Sequence, residues 1–243
     1  MTTKSADLPH LRSVVLAGHA GSGKTTLAEG LLFRTGATAR LGRVDDGTSS
    51  LDFEPEEQKR HETLSLAVAT LDDEGTRVTL IDTPGYPDFV AEVIEGVAAV
   101  DGMVFVMDAG GGVDSGLEAA VAMGRASGRA ACFFINKCDR ENADPTAALD
   151  ALRATFGNKI APVQLAIGAA DKFTGYVDLV HRKAWSWENI PLYAESTEPT
   201  TGTSMTLEVI ELQLGPQAPA LFDMPPDLEI KPAKAPRLPP AGP

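Results

Sequence analysis

The chain has 243 residues, 43% of them hydrophobic, and a formal net charge of −13. This length and hydrophobic content suffice for one large domain with a packed core, whereas the acidic balance argues against a diffuse basic surface for free nucleic acid. The sequence shows neither a signal peptide nor an apolar run long enough to span a membrane, so we expect a soluble cytoplasmic protein that binds neither membranes nor free nucleic acid.

The first motif in the chain is GHAGSGKT, which runs from Gly18 to Thr25. It lies between an apolar run, 13–17, and a segment with leucines at helical spacing. In this strand–turn–helix context, G-x-x-x-x-G-K-[ST] predicts a loop whose backbone N–H groups surround phosphates. The alternative is a glycine-rich turn without a ligand. The residues predicted to bind nucleotide here are Gly18, His19, Ala20, Gly21, Ser22, Gly23, Lys24, Thr25 and Thr26.

Two residues of this loop have specific predicted roles. Lys24 is expected to reach the β- and γ-phosphates of a nucleotide. The hydroxyl of Thr25 is expected to bind Mg²⁺. The helix that follows presents its positive end to the same phosphates.

A long polar segment, 36–63, follows the predicted helix and has no sustained apolar period. Loops of this length inside a compact domain are usually functional or mobile. Two alternating segments come next, 64–68 and 77–81, with the turn sequence DDEGT between them. They predict an antiparallel hairpin.

The second strand of this hairpin ends in DTPG, from Asp82 to Gly85. An acidic residue at the carboxyl end of such a strand lies where open α/β sheets bind ligands. Beside a phosphate loop, Asp82 is expected to hold Mg²⁺ through water, and Gly85 to offer its N–H to the γ-phosphate. DTPG alone is a common turn, but its place after the phosphate loop favours the functional interpretation.

The remaining elements alternate between helix and strand. Helices are predicted over 87–99 and about 114–127, and buried strands over 103–107 and 131–135. This order predicts an α/β protein with the P-loop NTPase fold, a mostly parallel sheet flanked by helices. Cys132 and Cys138 have no metal-binding spacing, and we expect them to be small buried side chains.

The last predicted strand leads into NKCD, Asn136 to Asp139. A carboxylate such as Asp139 can accept two hydrogen bonds from N1–H and the exocyclic amine of guanine, a pair that adenine does not offer. Asn136 and the stem of Lys137 are expected to brace this loop and cover the base. A lone N-K-x-D sequence is weak evidence, but in this order it predicts a guanine nucleotide as the ligand.

With these motifs in this order, the chain resembles the G domain of a translational GTPase, specifically elongation factor G and its G-like paralogues. The resemblance runs from about residue 11 to residue 188 and includes GSGKTTLAEGLLF, PEEQKR, DTPGYPDFVAEV and NKCD. It also includes APVQLAIGAADKFTGYVDLV, 161–180, which resembles the start of a subdomain inserted into the G domain of elongation factor G.

The resemblance implies a monomeric GTPase that binds GTP or GDP with Mg²⁺ and has the ribosome as its partner. It assigns Mg²⁺ to Thr25, Thr63 and Asp82. It assigns catalysis to Lys24, Thr63, Gly85 and the residue after Gly85. Thr63 falls in the first switch and Asp82 in the second, and such switches are ordered by the γ-phosphate and Mg²⁺.

Three departures from the family concern this site. The family's Arg-Gly-Ile-Thr before the first switch threonine reads Arg60-His61-Glu62-Thr63 here, and the aspartate that most elongation factors carry in the phosphate loop is Gly21. The histidine that positions the attacking water is Tyr86. A phenol can bind a water but does not carry charge near neutral pH as imidazole does, so weak hydrolysis is expected.

The domain boundaries follow from these matches. We expect a flexible leader over 1–10, the GTP-binding domain over 11–160, the start of the inserted subdomain over 161–194, and a disordered tail over 195–243. Eleven of the 17 prolines lie in the last 53 residues, 191–243, where only 205–212 could form a strand or a helical turn. The tail is either an authentic linker or the end of a truncated chain read out of frame.

Three functions stay open from the sequence. The first is a GTP hydrolase of the elongation factor G type. The second is a GTP-dependent binding switch with little hydrolysis. The third is a non-functional fragment, because we find neither the loop that backs guanine in the family nor the final strand and helix of the G domain.

Overall fold

A computed structural model describes residues 10–157, 159–181, 183–186 and 208–211. The chain divides into two compact units, Met1–Asn136 and Lys137–Pro243, each of which is described by itself. Residues 1–9 of the predicted leader and most of the predicted tail lie outside the described residues. Within the described ranges, no helix is long and apolar enough to cross a membrane.

The first unit contains a five-stranded sheet in the order β2-β3-β1-β4-β5. Strands β3, β1, β4 and β5 are parallel, and β2 pairs with β3 as the antiparallel arm of a hairpin. The mostly parallel sheet and the hairpin predicted from the sequence are therefore confirmed. The strands are β1 (Leu11–Ala17), β2 (Ala67–Asp73), β3 (Thr76–Asp82), β4 (Gly102–Asp108) and β5 (Ala130–Asn136).

Four helices accompany this sheet: α1 (Lys24–Arg34), α2 (Pro55–Arg60), α3 (Val90–Ala98) and α4 (Ser115–Ser127). A 3-10 turn, Pro87–Phe89, leads into α3, so the predicted helix over 87–99 consists of two pieces. Asp114 caps α4, because its carboxylate accepts a 2.8 Å hydrogen bond from the N–H of Leu117.

Helix α1 is fixed to the sheet by an apolar cluster. Ala28 and Leu32 of α1 pack with Leu16 of β1, and Leu51 of the long polar segment is part of the same cluster. Each fully buried leucine stabilises the fold by about 1.5–3 kcal/mol. The position of α1, and hence of the loop that begins it, is therefore set by the core.

Four sequence-based expectations were wrong. The polar segment 36–63 contains α2, and the first hairpin strand begins at Ala67 rather than residue 64. Strand β5 is largely exposed, and so is Cys132, while Cys138 is half-buried. In the described part of the chain β5 ends the sheet, and the last strand of a sheet is covered less than the central strands.

The second unit contains α5 (Pro145–Phe156) and a four-stranded antiparallel sheet in the order β6-β7-β8-β9. The strands are β6 (Gln164–Ile167), β7 (Gly175–Asp178), β8 (Lys183–Ser186) and β9 (Glu208–Glu211). Val177 and Ala184 form its small buried core. Strand β9 lies in the run 205–212, for which a strand or a helical turn was expected.

Candidate functional site

The loop between β1 and α1 has the backbone of an anion-binding turn. Gly18 has φ of 142°, and a Cβ at this position would overlap the carbonyl oxygen of Val106. Gly23 is the N-cap residue of α1 and has φ of 95°. As a glycine it has no side chain that could cap the helix. Helix α1 therefore begins without a side-chain cap, as do helix ends that bind anions.

The lysine of this loop is buried and lies across it. Lys24 is 5% exposed, and its Nζ donates to the carbonyl oxygens of Gly18 at 3.0 Å and His19 at 2.9 Å. Ser22 is also buried, and its hydroxyl has no hydrogen-bond partner within the described residues. The ammonium group and the helix end thus supply positive charge to the same small space.

Four polar side chains form one cluster beside the phosphate loop. The hydroxyls of Thr25 and Thr63 are 2.9 Å apart, and Thr63 donates to Oδ1 of Asp52 at 2.8 Å. Asp82 is 1% exposed at the end of β3. The structure therefore brings together the three predicted metal-binding residues and adds Asp52, which the sequence analysis missed.

Burial dominates the electrostatics of this cluster. It raises the pKa of Asp82 to about 7, although the Thr25 hydroxyl and the charge of Lys24 lower it. Burial also raises the pKa of Asp52, and the hydrogen bond from Thr63 opposes that rise. Repulsion from the carboxylate of Asp52 adds to the raised pKa of Asp82.

The donor set fits a magnesium ion. Both oxygens of Asp82 and Oδ2 of Asp52 are buried and have no hydrogen-bond partner of normal geometry among the described residues. Two hydroxyls lie beside them, and Mg²⁺ prefers hard oxygen ligands. Within the described ranges, no group of three or more His, Cys, Asp or Glu side chains could hold a metal ion alone. Such an ion would therefore need phosphate or water oxygens as well.

The DTPG loop contacts the phosphate loop directly. The N–H of Ala20 donates to the carbonyl oxygen of Gly85 at 3.1 Å, and a Cβ on Gly85 would overlap the backbone of Ala20. The next residue, Tyr86, is 40% exposed and donates its hydroxyl hydrogen to Oε1 of Glu62 at 2.9 Å. This hydrogen bond is the main cause of the raised pKa of the Tyr86 phenol.

Three carboxylates hold the long polar segment and the residues directly after it in place. Glu29 of α1 accepts the N–H groups of residues 50 and 51, and Glu57 of α2 accepts those of residues 64 and 65. Glu92 of α3 accepts the N–H of Leu66. None of the sequence motifs described above includes Glu29 or Glu92 as a site residue. The one available signal was at α2, where Glu54 and Glu57 form a capping box around Pro55.

The NKCD sequence straddles the boundary between the two units. Asn136 belongs to the first unit, and its Nδ2 donates to the carbonyl oxygen of Ser22 at 2.9 Å, which ties the end of β5 to the phosphate loop. Lys137 and Asp139 belong to the second unit, where both are half-buried, and Lys137 has a positive φ of 58°.

The structure therefore gathers most of the predicted site in the first unit. Lys24, Thr25, Thr63, Asp82 and Gly85 lie around the phosphate loop. Thr26 is on the loop helix but exposed, and Tyr86 points its hydroxyl at Glu62.

Residues 9–215 match the family model described as Elongation factor Tu GTP binding domain. The chain belongs to this family. Its fold, a mostly parallel sheet flanked by helices around a phosphate loop, is the one expected of a GTP-binding domain of this family.

The chain is also similar to longer proteins. The chain is 38% identical over 196 residues to Elongation factor G 2 of Streptomyces coelicolor, covering 81% of this chain and 28% of that protein. It is 35% identical over 182 residues to Elongation factor G 2 of Syntrophus aciditrophicus, covering 75% of this chain and 27% of that protein.

A solved structure is also similar. A crystal structure of a protein from Thermus thermophilus superimposes with a TM-score of 0.69 at 41% identity, covering 73% of this chain and 27% of that one. The chain therefore spans between 27% and 28% of the length of these relatives.

Proposed function

We propose that this chain is the GTP-binding part of an elongation factor G-type translation factor, which binds GTP and GDP with Mg²⁺ and hydrolyses GTP. The observation that carries the proposal is the cluster of Thr25, Thr63 and Asp82 beside the buried Lys24. Oxygen ligands, an ammonium group and an uncapped helix end meet there, and a nucleoside triphosphate with its metal ion needs all three.

The proposed roles of the residues divide by chemistry. The backbone of the loop from Gly18 to Thr26 surrounds the phosphates, and Lys24 exchanges its two carbonyl partners for phosphate oxygens. Thr25, Thr63 and Asp82 hold Mg²⁺, directly or through water, and the ion neutralises the charge of the phosphates. Gly85 donates its N–H to the γ-phosphate.

Guanine is the proposed base. Asp139 accepts the two donors of its edge, Asn136 braces the loop through Ser22, and the stem of Lys137 covers the base. Because adenine leaves this carboxylate unpaired, ATP is rejected. We also propose that the domain boundaries lie at residues 10, 160 and 194. The protein is further proposed to be a cytoplasmic monomer with the ribosome as its partner.

A second candidate is a GTP-dependent binding switch with little hydrolysis. The hydrogen bond between Tyr86 and Glu62 favours it, since Tyr86 stands where the family has the histidine that positions water. A phenol engaged by a carboxylate is poorly placed to bind the attacking water as well. We therefore propose weak hydrolysis by this chain alone.

Turnover of GTP with and without ribosomes separates the two candidates. The hydrolase predicts a rate that rises when ribosomes are added, whereas the switch predicts tight GTP binding and a rate that ribosomes leave unchanged. Absence of GTP binding in the same preparation would contradict both and support a non-functional fragment.

A further inference from the structure

The buried carboxylate of Glu29 is the most heavily bonded side chain of α1. Glu29 follows Thr25 by four positions, one helical turn, and is 0% exposed. Its Oε1 accepts from the hydroxyls of Ser49 and Ser50, both at 2.8 Å. It also accepts from the N–H groups of Ser50 at 2.5 Å and Leu51 at 3.2 Å. One oxygen atom thus anchors three consecutive residues of the long polar segment.

The hydrogen bonds continue from this anchor to the metal-binding hydroxyls. The hydroxyl oxygen of Ser49 accepts from the N–H of Asp52 at 3.1 Å. Oδ1 of Asp52 accepts from Thr63 at 2.8 Å, and the hydroxyl of Thr63 lies 2.9 Å from that of Thr25. A closed circuit of polar contacts therefore begins at Glu29 and returns to the same helix one turn earlier.

The orientation of the Glu29 carboxylate is restricted by its surroundings. Gly42 is buried against it, and a Cβ at Gly42 would overlap Oε2. Oε2 itself has no hydrogen-bond partner among the described residues. A buried carboxylate costs free energy unless it is hydrogen-bonded, so the contacts of Oε1 with residues 49–51 strongly favour this arrangement.

We propose that Glu29 is a positioning residue that clamps residues 49–52 to α1 and, through Asp52, keeps Thr63 beside Thr25. The inference rests on the proposed function, in which Thr25 and Thr63 hold Mg²⁺. The helix that carries the phosphate loop thereby also sets the distance to the first switch threonine. Loss of the clamp weakens the contribution of Mg²⁺ to nucleotide retention and leaves the phosphate loop itself intact.

Hydrogen exchange on the nucleotide-free chain tests the clamp without any ligand. In Glu29→Ala, the amides of Ser50 and Leu51 exchange at least about tenfold faster than in the wild type, because they lose their acceptor. Amides of β4 keep their rates. Glu29→Gln retains an acceptor oxygen, so it keeps most of the protection. Equal acceleration across the whole first unit would instead indicate a general loss of stability and overturn the proposal.

Dissociation of the fluorescent analogue mant-GMPPNP tests the consequence for the metal. In the wild type, Mg²⁺ should slow dissociation of the analogue. We expect this slowing to be about tenfold smaller in Glu29→Ala, because loss of a residue that orients metal ligands weakens a metal site by about tenfold or more. The rate in EDTA stays as in the wild type. Ser49→Ala removes the hydroxyl that links Glu29 to Asp52, so Mg²⁺ should slow dissociation less in this variant too. If Glu29→Ala does not fold, Ser49→Ala tests the positioning role.

Thr35→Ala is the matched control, because it removes a side-chain hydrogen bond from the end of the same helix. If Mg²⁺ slows dissociation from Glu29→Ala and Ser49→Ala as much as from Thr35→Ala, Glu29 has no positioning role. If the wild-type chain does not retain mant-GMPPNP at all, the proposed function fails, and the exchange rates of Ser50 and Leu51 still decide whether the clamp exists.

Discussion

The hydroxyl of Tyr86 donates a 2.9 Å hydrogen bond to Oε1 of Glu62, which joins the DTPG loop to the long polar segment. Both residues stand at positions where the chain departs from the elongation factor G pattern, which has a histidine and an isoleucine there. The two departures are therefore in contact with each other. A hydrogen bond thus links the two proposed switches in this chain.

The first prediction concerns catalysis. Tyr86→His should raise the ribosome-stimulated rate of GTP hydrolysis by at least about tenfold, because imidazole can bind and orient water and change its charge near neutral pH. Steady-state release of phosphate measures the change.

Tyr86→Phe is the control for this substitution. It removes the hydroxyl and should leave the rate no higher than that of the wild type. Equal rates for the wild type and Tyr86→His would show that Tyr86 does not limit hydrolysis.

The second prediction concerns the phenol itself. Glu62 raises the pKa of Tyr86, so Glu62→Gln should lower that pKa toward the ordinary value of a tyrosine. The chain has 3 tyrosines, and the difference between the ultraviolet titrations of wild type and variant isolates the one that changes. Because the pair is exposed, thermal stability should stay the same. An unchanged titration would mean that the hydrogen bond is absent in solution.

The third prediction follows from the buried Asp82. Its pKa in the folded chain is about 7, above the ordinary 3.8, so the folded chain holds a proton that the unfolded chain releases. Below about pH 4 both states are protonated, and the carboxyl has no effect on the pH dependence of stability. As the pH rises from 4 to 7, the free energy of unfolding falls, because the unfolded chain releases this proton more readily than the folded chain. The fall levels off above pH 7.

Asp82→Asn should remove this loss in the nucleotide-free chain. We expect its melting temperature to exceed that of the wild type increasingly between pH 4 and 7, with a constant difference above 7. The variant should also lose the stabilisation that GTP with Mg²⁺ gives the wild type. A variant less stable than the wild type at pH 8 would contradict the assignment of burial as the dominant effect.

The fourth prediction concerns the base. Asp139→Ala should abolish the preference for GDP over ADP in displacing mant-GDP, because no carboxylate then discriminates the two purine edges. Asp150→Ala is the matched control, since its side chain is 69% exposed in the same unit. If Asp139→Ala retains the guanine preference, the carboxylate that reads the base lies elsewhere.

The strands that bring the site together could be predicted from local pattern. Apolar runs, glycine-rich turns and the polar residues that follow them are short-range signals, and they located β1, β3 and β4 along with Thr25 and Asp82. Alternation also predicted the hairpin but began its first strand at residue 64. The structure starts it at Ala67 because the preceding N–H groups bond to Glu57 and Glu92 rather than to a strand.

The parts that could not be predicted depend on contacts distant in sequence. Glu29 has the pattern of a polar helix position, and only the folded segment 20 residues later shows it to be buried. Asp52 likewise became part of the site through Thr63, 11 residues away. Strand β5 is apolar in sequence but largely exposed, because burial depends on where a strand lies in the sheet.

The central claim is that a guanine nucleotide binds at the loop around Lys24. Isothermal titration calorimetry of the chain with GDP, GTP and ATP in Mg²⁺, repeated with Lys24→Ala, tests it most directly. We expect GDP and GTP to bind with one-to-one stoichiometry, ATP not to bind, and Lys24→Ala to lose binding while remaining folded. Binding of ATP as tight as that of GTP, or binding of GDP that survives Lys24→Ala unchanged, would contradict it.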